Sequence, residues 1–245
     1  MPSAHLMINL SGPVHMYDSD EPTTPVVLCD GWFMGVWSRR FAIEHTSPVL
    51  VVGVHFKPWG VAPFVDLRLN EMQNRSVPVD VVWGRSVDRL REQLTGASST
   101  GTMLEIMESE LRSRLVMAPS PGFQLVDHVA GRIEGSWGAV RVGRLTEAAG
   151  VSGNQLATQF KAYVGLTPKR VARIYRFARV LLTVDAQRPV DWAQLAQAAG
   201  YFDQAHLSKE FSDFTGHTPT SYLALRRRFP AEVGFPPDDG TMPAE

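Results

Sequence analysis

The sequence predicts an α+β chain. A small β-barrel or sandwich with helices forms the amino-terminal half, and an all-α domain with two helix-turn-helix motifs on a linking helix forms the carboxyl-terminal half. Three observations carry this expectation. Short runs rich in Val, Ile, Trp and Phe, separated by turn residues, fill the first 83 positions. From Ser86 the apolar spacing turns helical. Residues 141–225 then contain one pattern written twice.

The chain has 245 residues, 44% of them apolar and 20% charged, enough for a sizeable core without staples. That composition excludes a disordered chain, a collagen-like chain and a coiled-coil rod. No secretory signal precedes the first strand, and the longest apolar run, 49–54, is far too short to cross a membrane. The single Cys29 excludes an intramolecular disulfide and any multi-cysteine metal site, and it fits a reducing compartment. Its neighbours Val26, Val27 and Leu28 predict a buried thiol. A soluble, cytoplasmic protein with no membrane partner is expected.

Six strands are expected at 5–10, 14–17, 26–29, 33–37, 41–45 and 49–56, followed by a short helix within 62–74. Trp32, Trp37 and Trp59, with Phe33 and Phe64, either line an apolar effector pocket or form core. Three helical stripes follow. They are Val87, Leu90, Arg91 and Leu94; then Leu104, Met107, Leu111 and Leu115; then Leu125, Val126, Val129 and Ile133. Turn-rich segments at 96–101 and 118–122 separate them. The helices between 86 and 134 are candidates for a homodimer surface or for a shelf packed on the sheet.

Glu134-Gly135-Ser136-Trp137-Gly138 marks the expected boundary, because the charge switches there. Residues 1–136 carry 11 basic and 15 acidic side chains, residues 137–229 carry 13 and 6, and residues 230–245 carry none and 4. The formal charge of −1 therefore conceals a basic segment of +7. Such asymmetry points to nucleic acid. The expected divisions are 1–134, a β-rich sensing or dimerisation domain with its helical extension; 137–229, a DNA-binding domain; and 230–245, an acidic, disordered tail.

In the repeat, Leu145 corresponds to Leu195 and Ala148-Ala149-Gly150 to Ala198-Ala199-Gly200. One residue further out of step, Ser152 corresponds to Asp203, Leu156 to Leu207, Phe160 to Phe211, and Gly165, Thr167 and Pro168 to Gly216, Thr218 and Pro219. The small residues let helices approach closely, and the glycine makes the sharp turn. Ser152 and Asp203 are N-cap types, Gly165 and Gly216 are helix terminators, and each Thr-Pro pair starts a new helix.

With Leu156 and Phe160 inward, the opposite face of the first reading helix shows Asn154, Thr158 and Lys161. The second shows Gln204, Ala205, Ser208 and Lys209. Asn and Gln suit adenine, Lys suits guanine or phosphate, and Ser and Thr suit several partners. Lys169, Arg170, Arg173 and Arg176 lie on the intervening helix; some of them, with Lys169 and Arg173 named for it, are expected to neutralise phosphates and others to pair with local acids. That helix, about 169–184, spans roughly 24 Å. It is expected to hold two reading heads on sub-sites about one turn of double-stranded DNA apart.

Residues 141–229 resemble the DNA-binding domain of AraC/XylS-type transcriptional regulators. The carrying residues are Leu145, Ala148-Ala149-Gly150, Ser152, Leu156, Phe160 and Gly165-Leu166-Thr167-Pro168-Lys169 in the first unit. In the second they are Ala199-Gly200-Tyr201, Asp203-Gln204, His206-Leu207, Phe211, Gly216, Thr218-Pro219 and Tyr222. The resemblance implies a seven-helix fold, control of transcription at a promoter or operator, and RNA polymerase as a partner. Asn154 and Thr158 stand where such helices often carry arginines, so the first unit is expected mainly to position the protein. The stretch Val52-Gly53-Val54-His55-Phe56-Lys57-Pro58-Trp59-Gly60 through Val77-Pro78-Val79 is similar to a sensor domain that precedes this module in a subgroup of these regulators. Those domains usually begin with more residues before the first strand, rich in aromatics, so an incomplete first sheet or a shortened chain is expected.

No nucleophile elbow, phosphate loop, dinucleotide fingerprint or zinc-ligand spacing occurs, so no catalytic residue, cofactor or metal is expected. The competing reading is a ligand-binding or protein-interaction protein whose helical domain does not read DNA.

Overall fold

The structure is a computed structural model that describes residues 2–18, 23–45, 48–115 and 120–228. The tail at 230–245 and positions 118–119 of one expected turn lie outside these residues. All six expected strands form, as β1 (Ala4–Asn9), β2 (Val14–Asp18), β3 (Val26–Leu28), β4 (Gly31–Met34), β5 (Phe41–His45) and β6 (Val51–Phe56). A seventh, β7 (Ser76–Pro78), was not expected. They make two antiparallel sheets and no closed barrel: β6-β1-β4-β7, and β3-β2-β5.

Period-two alternation explains the layering. Ala4, Leu6 and Ile8 of β1 and Phe33 of β4 face Leu69, Met72, Val79 and the helices α2 (Ser86–Thr95) and α3 (Thr100–Arg114). Met7, Trp32 and Met34 face the opposite way and pack with Val14, Met16 and Leu28 of the second sheet. The four-stranded sheet is thus the middle layer. At Gly53, opposite Met7, a Cβ would lie 2.6 Å from the Met7 sulfur, so a side chain there would push the thioether aside. Asn9, fully buried, donates to the carbonyls of Gly12 and Cys29 and accepts from Ser11, which fixes the first turn.

Three expectations need correction. Segment 62–74 forms two 3-10 turns, Ala62–Phe64 and Leu69–Met72, the first with a proline at its start. The short helix lies later, as α1 (Val79–Trp83). In α3 the stripe is rotated: Met103, Ile106, Met107 and Leu111 meet the core, while Leu104 and Leu115 are more than half exposed. Two overlapping apolar stripes run along this helix, and the one that reaches the sheet is buried. Cys29 is exposed, because β3 turns Leu28 inward and the following residue outward.

The remaining helices are α4 (Pro121–Gly135), α5 (Val142–Ala149), α6 (Gly153–Val164), α7 (Pro168–Thr183), α8 (Trp192–Ala198), α9 (Gln204–Thr215) and α10 (Pro219–Arg228). By proximity the chain forms two compact units. Among the described residues one is Ser3–His128 with Val151–Thr167; the other is Val129–Gly150 with 168–228. Proximity groups α6 with the sheets, whereas the sequence expectation sets a single cut near 134–138. The helical unit has its own core of Phe177, Val180, Leu195, Ala196, Leu207, Phe211, Phe214 and Tyr222. Among the described residues no helix is long and apolar enough to cross a membrane.

Candidate nucleic-acid interface

Both reading helices are cut from the chain by the caps expected of them. Gly150 ends α5 in the left-handed region, at φ +65°. Ser152 then accepts from the Gln155 amide at 3.1 Å and starts α6. Leu156 and Phe160 are fully buried. Asn154, Thr158 and Lys161 are exposed on the other side, with the Thr158 hydroxyl donating to the Asn154 carbonyl.

In the second motif Asp191 accepts from the amides of Ala193 and Gln194 to start α8. Asp203 accepts from the His206 amide at 2.7 Å to start α9. Leu207 and Phe211 are fully buried, the latter with its ring edge-on to Phe177, Trp192 and Tyr222. Gln204, Ala205 and Lys209 are exposed and Ser208 is half-buried.

The first of these helices is held within the sheet unit. The Tyr163 hydroxyl is 2.8 Å from that of Ser120, and its ring stands edge-on to Phe123. At Gly165, with φ +82°, a Cβ would sit 2.5 Å from the Leu69 carbonyl oxygen, so the end of α6 lies tight on the 3-10 turn. The second is held within the helical unit by charge. Arg173 Nε donates to Glu210 Oε1 at 2.5 Å, and its Nη2 donates to Asp213 Oδ2 at 3.4 Å. Glu210 is only 3% exposed.

Lys169 is exposed at the start of α7, as expected of a phosphate contact, and neither it, Lys161 nor Lys209 makes an ion pair among the described residues. Arg173, assigned the same role from sequence, points its guanidinium at α9 instead. Arg176 donates to the Gly138 carbonyl at 3.1 Å and lies over the Tyr201 ring. Burial pushes the Tyr201 phenol above its ordinary value, and the Glu210 charge adds to this. Burial, with Arg173 alongside, lowers Arg170. Lys169, Arg173, Arg176, His206 and Lys209 border a cleft of about 650 Å³ with Arg141, and Glu210 and Asp213 supply its negative wall.

Sequence reasoning missed Arg141 and Glu210. Arg141 was countable only as part of the +7 segment. Glu210 had a legible signal, since it falls three residues after Leu207 and one before Phe211, on the inward face. The three tryptophans named as effector contacts do not line one pocket. Trp32 and Trp37 belong to the cluster between the sheets, with Trp37 against Phe41. Trp59 is buried apart from them and donates to Asp127 at 2.6 Å.

Residues 145–225 match a family model described as a helix-turn-helix domain, and residues 1–78 match one described as a domain of unknown function (DUF6597). No curated protein matches the chain. Among solved structures the chain is similar to ToxT from Vibrio cholerae. A 1.65 Å structure of it has a TM-score of 0.51 and 10% identity, covering 92% of this chain and 91% of that one. At that identity the likeness concerns the fold. A structure of ToxT from Vibrio cholerae O395 gives 0.49 and 10%, covering 92% and 90%. One with an unsaturated fatty acid bound, from Vibrio cholerae strain SCE256, gives 0.45 and 12%, covering 91% and 87%.

Proposed function

We propose that the chain, whose residues 145–225 match a helix-turn-helix domain, is a sequence-specific transcription regulator of the AraC/XylS type that reads two major-groove sub-sites about one turn apart. The observation that carries this reading is the pair of capped helices, α6 and α9, each turning Leu and Phe inward and a short polar or cationic face outward. Gln204 and Lys209 are the base-reading residues of α9, with Ala205 and Ser208 beside them for apolar and hydroxyl contacts. Asn154, Thr158 and Lys161 line the weaker reader, α6. Lys169 neutralises phosphate.

The sheet unit is assigned to sensing a small-molecule effector or to forming a homodimer. Promoter DNA and RNA polymerase are the macromolecular partners, the location is cytoplasmic, and no catalysis is involved. Selection of bound sites from random DNA, followed by footprinting, tests this. Two protected turns per chain are expected. Lys209→Ala should lose about 1–3 kcal/mol of discrimination at one base step, while Lys169→Ala should weaken all sites and reduce the salt slope by about one. Absence of binding at low salt would favour a protein-interaction module instead.

A further inference from the structure

We propose that Arg173 is a positioning residue whose ion pair with Glu210 and Asp213 sets the angle at which α9 presents Gln204 and Lys209 to DNA. This rests on the DNA-reading function above and replaces the phosphate contact that sequence assigned to Arg173.

The apolar side of α9 is Leu207, Phe211 and Phe214, packed on Phe177 and Tyr222. Such contacts fix how close a helix lies, but they are weakly directional and leave rotation about its axis poorly determined. A guanidinium is directional, because its donors form a planar fork. Here the fork spans Glu210 and Asp213, one turn apart on α9. Glu210 adjoins Lys209 in the chain, so any rotation that breaks the bond to Arg173 carries the reading lysine with it.

The other end of the clamp is equally well placed. Lys169, Arg173 and Arg176 lie at i, i+4 and i+7 along α7, on one face of that helix. Arg176 is fastened to the Gly138 carbonyl, and Lys169 is left to meet phosphate. The clamp therefore registers the base-reading helix against the helix that carries the backbone contact. Arg173 has 27% of its side chain exposed against 4% for Glu210, so the pair is largely removed from water and poorly screened by salt.

The test compares Arg173→Gln, Glu210→Gln and Lys169→Gln in the full chain, each first shown to be folded by circular dichroism. Binding is measured to the selected site and to single-base variants of it across a salt series. Both clamp variants are expected to lose about tenfold in discrimination at the base steps read by α9, with the salt slope unchanged. Lys169→Gln should do the opposite, lowering the slope by about one with discrimination intact. The reversed pair, Arg173→Glu with Glu210→Arg, should recover discrimination.

A fall of about one in the slope for Arg173→Gln, with the parent preference kept by Glu210→Gln, would overturn the proposal and restore the phosphate contact. Unchanged preference in both would also overturn it. If either single variant fails to fold, Arg173→Lys carries the same comparison. It keeps the charge and loses the fork, so it should reduce discrimination at an unchanged slope, and full discrimination would refute the clamp. A parent chain that selects no site would mark the failure of the DNA-reading function, separately from the clamp.

Discussion

Helices α6 and α9 are the same sentence spoken in two settings. Each starts at a capped residue, turns a Leu and a Phe inward four residues apart and ends at a left-handed glycine. Yet α6 is held by neutral contacts within the sheet unit, and α9 by a buried charge within the helical unit. Three of the aligned positions at which they differ bear on this. Gln159 of α6 corresponds to Glu210 of α9, Ala162 to Asp213 and Tyr163 to Phe214. Neither the neutral glutamine nor the alanine can form an ion pair with an arginine, and tyrosine brings a hydroxyl for Ser120. The same local grammar therefore builds a helix without deciding what it docks against.

The contrast can be broken at the first of these positions. Glu210→Ala should cost about 3 kcal/mol of stability, since it removes the buried partner of Arg173 and leaves only the longer contact to Asp213, whereas Gln159→Ala should cost under about 1 kcal/mol. Chemical denaturation of the two variants measures this, and equal losses would remove the distinction. The next effect concerns the turn that ends α6. Gly165→Ala places a Cβ against the Leu69 carbonyl at positive φ and should cost about 2–3 kcal/mol. Gly150→Ala, at φ +65° with open space around it, should cost only about 1 kcal/mol. Thermal melts of both would show whether the close approach is real. The smallest effect concerns what the helices share. Ser152→Ala and Asp203→Ala should each cost about 1 kcal/mol, because each leaves one amide unsatisfied at a helix start. Clearly unequal losses would mean that the caps depend on their surroundings.

These differences also show what could be read before any coordinates. The six strands and both helix-turn-helix motifs were legible because they are local. A cap, a glycine and an alternating run each act within a few residues. The outward faces of α6 and α9 followed from the inward Leu and Phe. What stayed hidden depends on distant partners. Leu104 and Leu115 lie on a sound helical stripe, but the sheet meets the neighbouring one. Cys29 ends an apolar run and still faces out, because the run turns only Leu28 inward and leaves Val26, Val27 and Cys29 exposed. Trp59 stood open between pocket lining and core, and its partner Asp127, 68 residues away, could not be read from its neighbours. That a basic residue of α7 would pair with an acid was open in the sequence, but which residue and which acids depended on α9.

The interleaving of the two units has a consequence for synthesis. The sheet unit draws on residues up to His128 and then again on Val151–Thr167, so it lacks one of its pieces until position 167 has left the ribosome. By then α5, which belongs to the other unit, has already emerged and must wait for α7 to α10. Neither unit can finish before the other has begun. A fragment stopped at the apparent boundary near 134 would retain every strand and lose the helix that the Leu69 turn, Ser120 and Phe123 hold in place. Its folding yield would measure how much the sheets owe to a segment translated after them.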